Sequence, residues 1–244
     1  MIYISALFAL GAIVMRGAGC TYNDIVDRDY DGKVERSRNR PLPAGQISVK
    51  QAWVFLIVQC LIGLSVLLQF NLETIALGVL SLFPIAIYPF MKRFTWWPQL
   101  FLGIAFNWGA LMGYAALTGN ISSSAGMVYV AAIFWTVGYD TIYGAQDIID
   151  DEIIGVKSTS IKFKSMLKKF VFLCYTTSCL VLLVFFYFNM NSVYFLFPLL
   201  GFSATLFYQI YIFDKRKPET CMQAFKVNNF SGFYLFLTFL TFSL

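Results

Sequence analysis

Asn23, Asp27 and Asp31 recur every four residues in the stretch Asn23-Asp24-Ile25-Val26-Asp27-Arg28-Asp29-Tyr30-Asp31. A helix running through them stacks all three on one face. Such groups on one stripe repel each other unless a positive charge lies between them. The usual remedy is a divalent cation, and hard oxygen ligands suit Mg²⁺. Far downstream, Asp147 and Asp151 repeat the spacing of four within Asp147-Ile148-Ile149-Asp150-Asp151. An apolar run precedes each cluster. Two acidic stripes at two helix ends predict one site closed from two sides.

Mg²⁺ is seldom caged by protein alone and is normally shared with substrate phosphates. Carboxylates then hold the metal, the metal holds a diphosphate, and Lys or Arg take the remaining phosphate charge. Lys157, Arg36 and Arg40 are placed for that last role. A diphosphate attached to a lipid would account for a membrane setting. The bland alternative is a set of solvated loop charges. Two spaced clusters at span ends on the same side argue against it, since ionisable groups at membrane depth are functional by default. Asp140 precedes Asp147 by seven residues and Arg16 precedes Asn23 by seven, so each is expected near the face of its cluster, pointing into a cavity. An Arg16–Asp140 ion pair is the structural alternative. Tyr139 and Tyr143 could cap a leaving group or line a pocket, or simply pack.

The elements that must position these residues are apolar. The chain of 244 residues is 59% hydrophobic and 13% charged, against about 25% charged in soluble domains. Runs of about 17–25 apolar residues cross a bilayer as helices. Eight are expected, roughly at 2–22, 51–70, 73–91, 98–118, 125–146, 167–188, 192–213 and 227–243. Ser48 with Gln51 forms a capping-box pattern ahead of the second, and Pro98 can open the fourth. The expected fold is all-α, one polytopic transmembrane bundle over residues 1–244 around a central cavity.

The loops after spans 1, 3, 5 and 7 hold the basic clusters, among them Lys92-Arg93 and Lys215-Arg216-Lys217; those after spans 2, 4 and 6 hold no Lys or Arg. The positive-inside rule puts both acidic clusters on the cytoplasmic side. Charge thus tracks membrane orientation and does not point to nucleic acid, although the net charge is +5. There is no histidine and no CxxC among five cysteines, which argues against a zinc site and a His-based triad. No cleavable signal peptide is evident.

At these residues the chain resembles the UbiA family of intramembrane prenyltransferases. Asn23-Asp24, Asp27 and Asp31 match the family's NDxxDxxxD motif, and Asp147 and Asp151 match its DxxxD motif. RNRPLPAGQIS (38–48) resembles the segment after the first motif. Residues 88–109 and 138–163 are similar to the 4-hydroxybenzoate polyprenyltransferases of ubiquinone biosynthesis. The resemblance implies Mg²⁺ held by Asn23, Asp27, Asp31, Asp147 and Asp151, which would bind a polyprenyl diphosphate. Lys157 with Arg36 or Arg40 would share its charge. The allylic cation would be attacked by the ring carbon ortho to the hydroxyl of 4-hydroxybenzoate. Asp27, Asp147, Asp140 and Tyr139 are the candidate catalytic residues. Arg93 or Arg16 is the candidate partner of the acceptor's carboxylate.

The implied setting is an inner membrane, bacterial or mitochondrial, with no obligate protein partner. Relative to the family pattern, the chain is expected to lack the first helix. Three alternatives stay open: a family member with another acceptor, a transporter, and an inactive short form. A transporter needs a polar path across the whole bilayer, whereas the acidic residues here cluster at one side.

Overall fold

The computed structural model describes residues 2–33, 37–190 and 192–241. All regular structure among them is helical. Helix α1 (Ile2–Asp31) runs unbroken through the first acidic stretch. It is followed by α2 (Val49–Leu67) and α3 (Leu72–Ile87), then a short α4 (Met91–Phe94). Next come α5 (Pro98–Phe106), α6 (Trp108–Thr118) and α7 (Ser123–Gly144). The chain ends with α8 (Ile148–Ile154), α9 (Thr159–Lys162), α10 (Leu167–Asn189), α11 (Leu196–Ile212), α12 (Pro218–Lys226) and α13 (Asn228–Leu240).

Local chemistry sets several of these ends. Ser48 Oγ accepts from the Gln51 amide and the Gln51 side chain accepts from the Ser48 amide, the reciprocal box expected of that pair. Pro98 opens α5 at its first turn. Pro89 cannot continue α3, and residues Tyr88–Phe90 tighten into a 3₁₀ turn. That turn delivers α4 with Lys92 and Arg93 beside the tip of α1.

Seven helical stretches are long and apolar enough to span a membrane: Ile2–Asp31, Val49–Leu67, Leu72–Phe94, Pro98–Thr118, Ser123–Ile154, Leu167–Asn189 and Val193–Ile212. The chain is an integral membrane protein. The eighth expected span, 227–243, corresponds to α13, which has 13 residues among those described. It follows α12, which Pro218 opens and which lies against α7, with Val227 alone between the two helices. Large apolar side chains stand exposed on the outer faces, such as Ile57 and Leu61 on α2 and Phe197 and Leu200 on α11. Lipid, not water, suits them.

Each spanning helix packs chiefly on its neighbours in sequence. The second half holds the main core, where Tyr175, Phe186, Phe202 and Leu206 are fully buried. Gly138 on α7 makes room for it: a Cβ there would lie 2.3 Å from the Tyr175 ring. The first half buries far less. In α1 only Ala18, Ile25 and Asp27 are buried, and Ala18 and Ile25 pack with Ala52 and Leu56 of α2.

Candidate active site

The last two turns of α1 gather carboxylates that apolar surroundings alone could not tolerate. Asp27 is 3% exposed. Lys92 Nζ lies 2.7 Å from its Oδ2 and Arg93 Nη2 lies 3.6 Å from its Oδ1. Arg93 spends its better hydrogen bond on the Val26 carbonyl, at 2.9 Å. Asp27 Oδ1 is therefore buried with no hydrogen-bond partner, as is Arg93 Nε. The Tyr30 ring, one turn along, faces both cations, 5.4 Å from Lys92 Nζ and 4.9 Å from the Arg93 guanidinium. Beside this group, Arg40 Nη1 bridges Asp24 Oδ1 at 2.8 Å and Asp31 Oδ2 at 2.9 Å. A cavity of about 360 Å³ opens next to Asp24 between α1, α2 and the 41–47 loop, lined by Thr21, Leu42 and Gln51.

The second cluster sits where α7 changes pitch. Ser160 Oγ donates to the Thr141 carbonyl at 2.8 Å, the group that would otherwise accept from the Ala145 amide. The Ala145 amide turns to the Ile142 carbonyl instead, and residues Ala145–Asp147 form a 3₁₀ turn before α8. The tighter pitch alters the register between Asp140 and Asp147 that an unbroken helix would give. Asp140 lies within electrostatic reach of Tyr88, and Asp147 of Cys221 on α12. Gly155, with φ +79°, ends α8 and lets its own amide bond the Asp151 carbonyl at 3.0 Å. Thr159 seals the join: its Oγ1 is 2.6 Å from Thr141 Oγ1 and its amide donates to Gln99 Oε1 at 3.0 Å.

The two halves meet through backbone. The Lys157 amide donates to the Lys92 carbonyl at 2.7 Å, and Lys157 Nζ donates to the Phe94 carbonyl at 3.2 Å. The loop after the second acidic cluster is thus fastened to the segment that neutralises the first. Deeper in the bundle, the Arg16 guanidinium lies 5.8 Å from the centre of the Phe106 ring and within electrostatic reach of Tyr139. It points between α1, α5 and α7. Tyr139 makes edge contacts with Trp135 at 5.9 Å and Phe225 at 5.7 Å, and Phe225 also meets Tyr143 at 4.7 Å. Helix α12 therefore supplies an aromatic cover for the end of α7.

Of the residues singled out from sequence, Asn23, Asp27 and Asp31 share the α1 tip with Arg40 and Arg93, while Asp147 and Asp151 stand on α8 and its approach. Arg36 lies outside the described residues. Among the described residues, no three His, Cys, Asp or Glu side chains converge as a metal cage. Sequence reasoning missed Lys92, Tyr30 and the Ser158-Thr159-Ser160 anchor. The adjacency of Lys92 to Arg93 and the run of three hydroxyls were the available signals.

A family model for UbiA prenyltransferases matches residues 2–239. The chain belongs to the UbiA prenyltransferase family. Its similarity to curated members is high. It is 46% identical over 233 residues to the mitochondrial 4-hydroxybenzoate polyprenyltransferase of Aedes aegypti, covering 95% of this chain and 53% of that protein. It is 44% identical over 241 residues to the Bos taurus enzyme of the same name, covering 96% and 64%. The chain thus spans between half and two thirds of the length of these relatives. The fold agrees with solved UbiA structures. An apo UbiA homologue from Aeropyrum pernix K1 superposes with TM-score 0.85 at 20% identity, over 100% of this chain and 91% of that one. A homologue from Archaeoglobus fulgidus bound to GPP and Mg²⁺ gives TM-score 0.76 at 17% identity, over 100% and 89%.

Proposed function

We propose that this UbiA-family chain transfers a polyprenyl group from polyprenyl diphosphate to the ring carbon ortho to the hydroxyl of 4-hydroxybenzoate, in the membrane, as a step of ubiquinone biosynthesis. The observation that carries the reading is the buried Asp27 carboxylate, paired with Lys92 and Arg93, beside Asp24 and Asp31 bridged by Arg40, with the Lys157 amide fastened to the Lys92 carbonyl. The names of the similar enzymes supply the acceptor and the ubiquinone setting.

The donor set fits a divalent cation. Asp27 Oδ1 is a hard oxygen, buried and without a hydrogen-bond partner, on a stripe whose other members also offer oxygen only. In this reading Asn23, Asp27, Asp31, Asp147 and Asp151 would hold Mg²⁺. The bound metal offsets charge on the leaving diphosphate. Lys157, with Arg36 or Arg40, takes the remaining phosphate charge. The allylic C–O bond breaks, the diphosphate departs with the electron pair, and a C–C bond forms at the ring.

Tyr139, held edge-on by Trp135 and Phe225, lines the cavity beside the cation and helps keep water from quenching it. Arg16 or Arg93 pairs with the acceptor's carboxylate, while Asp140 orders the same wall. The ring proton leaves to a carboxylate or to the released diphosphate. The membrane is an inner membrane, mitochondrial as in the names of the similar enzymes, with the acidic ends of α1 and α8 on the matrix side. The test is transfer from labelled polyprenyl diphosphate in membranes holding the chain. Product should form with 4-hydroxybenzoate and Mg²⁺, and not in EDTA. Product with another aromatic acceptor alone would replace the acceptor assignment.

A further inference from the structure

On its outer side, the seam of α10 and α11 carries an ordered column of side chains. Phe172 and Phe207 meet across the seam with ring centres 5.5 Å apart. One turn nearer the end that bears the acidic clusters, Lys168 Nζ donates to the Tyr211 carbonyl at 3.5 Å and lies 5.1 Å from the centre of the Phe213 ring. One step further out, Lys215 Nζ donates to the Lys164 carbonyl at 2.6 Å. Backbone carbonyls and a ring therefore hold two ammonium groups on the same rim of the bundle. Lys164 is spent on Glu152, at 2.8 Å, and Arg216 on Asp214, at 3.2 Å. Lys168 and Lys215 have no acidic partner among the described residues. Below them the seam is apolar and open: Phe172 is 52% exposed and Tyr211 82%.

Two fixed cations above an exposed aromatic groove match one kind of molecule, with a phosphate at one end and hydrocarbon at the other. Both helices are long and apolar enough to span a membrane, and the exposed aromatic side chains of the seam suit lipid. Basic residues at the rim of a span attract anionic headgroups, and aromatic rings settle at the same depth. We propose that the α10–α11 seam binds an anionic phospholipid, its phosphate between Lys168 and Lys215 and its acyl chains along Phe172 and Phe207. This site is separate from the prenyl-transfer site and does not depend on that assignment.

The full chain can be reconstituted in phosphatidylcholine vesicles containing a photoreactive phosphatidylglycerol, or photoreactive phosphatidylcholine at the same mole fraction. Crosslinked peptides are then mapped by mass spectrometry. The phosphatidylglycerol probe should label segments 164–172 and 207–217, and the phosphatidylcholine probe should not. In Lys168→Gln/Lys215→Gln the mole fraction for half-maximal labelling should rise on the order of 30-fold, from two lost surface charges. Lys50→Gln, an exposed lysine elsewhere, should leave it unchanged, and Lys168→Arg/Lys215→Arg should preserve it. Equal labelling by both probes would overturn the proposal. So would a double Gln variant that keeps its melting temperature and its labelling. Displacement of the probe by millimolar inorganic phosphate would make a soluble phosphate the ligand, and would equally reject a lipid.

Discussion

Lys92 Nζ sits 2.7 Å from Asp27 Oδ2, and that carboxylate is nearly sealed from solvent while its other oxygen has no hydrogen bond. Lys92→Gln removes the better of two cationic partners and leaves Arg93 at 3.6 Å. Thermal melting in detergent should show a loss of about 1–3 kcal/mol, below the full cost of orphaning a buried charge because Arg93 remains. Combining it with Asp27→Asn should cost less than the sum of the two single changes. Strict additivity would show that the pair is not coupled.

Asp27→Asn and Asp147→Asn should each lower Mg²⁺-dependent prenyl transfer by at least about 100-fold while the protein still inserts. Membrane fractionation checks insertion and product formation checks the reaction. Wild-type rates in both variants would remove these residues from the metal assignment.

Gly138→Ala places a methyl 2.3 Å from the Tyr175 ring, which is fully buried and bonded to Gln209 Oε1 at 2.5 Å. A crowded core of this kind should lose roughly 1–3 kcal/mol in thermal melting. Tyr175→Phe should lose about 1 kcal/mol through its hydrogen bond alone. A Gly138→Ala protein as stable as wild type would mean that α7 and α10 separate freely.

Ser160→Ala frees the Thr141 carbonyl and removes the bond that diverts α7 into its 3₁₀ turn. Hydrogen exchange should speed at residues 145–148, and catalysis should fall through kcat more than KM, because binding groups remain while the second acidic cluster shifts. Unchanged exchange at those amides would show that the turn holds without Ser160.

Local patterns carried a large part of the fold. The period-four acidic stretch needs a continuous helix, and α1 does continue through Asp31; Ser48, Gln51 and Pro98 mark helix starts because their chemistry involves only near neighbours. What could not be read depends on distant contacts. Nothing near Asp27 in sequence announces Lys92, which arrives only because the third span ends beside the tip of α1. The change of pitch at Ala145 depends on Ser160, and the aromatic cover over Tyr139 and Tyr143 depends on α12 packing against α7. Arg40 was placed from sequence as a phosphate ligand. Its bridging of Asp24 and Asp31 could be seen only once the 38–48 loop was folded onto α1.

The Lys92–Asp27 pair lies wholly within the first half of the chain, as does the Arg40 bridge. Its carboxylates can therefore be neutralised while later helices are still being synthesised. The acidic tip of α1 has its own counter-charges at the moment of membrane insertion and need not wait for α7. A chain ending at Thr118 is expected to insert stably when synthesised cell-free in the presence of liposomes. The Lys157 amide then reaches the Lys92 carbonyl as the last stitch, so the site matures only when the fifth span has arrived.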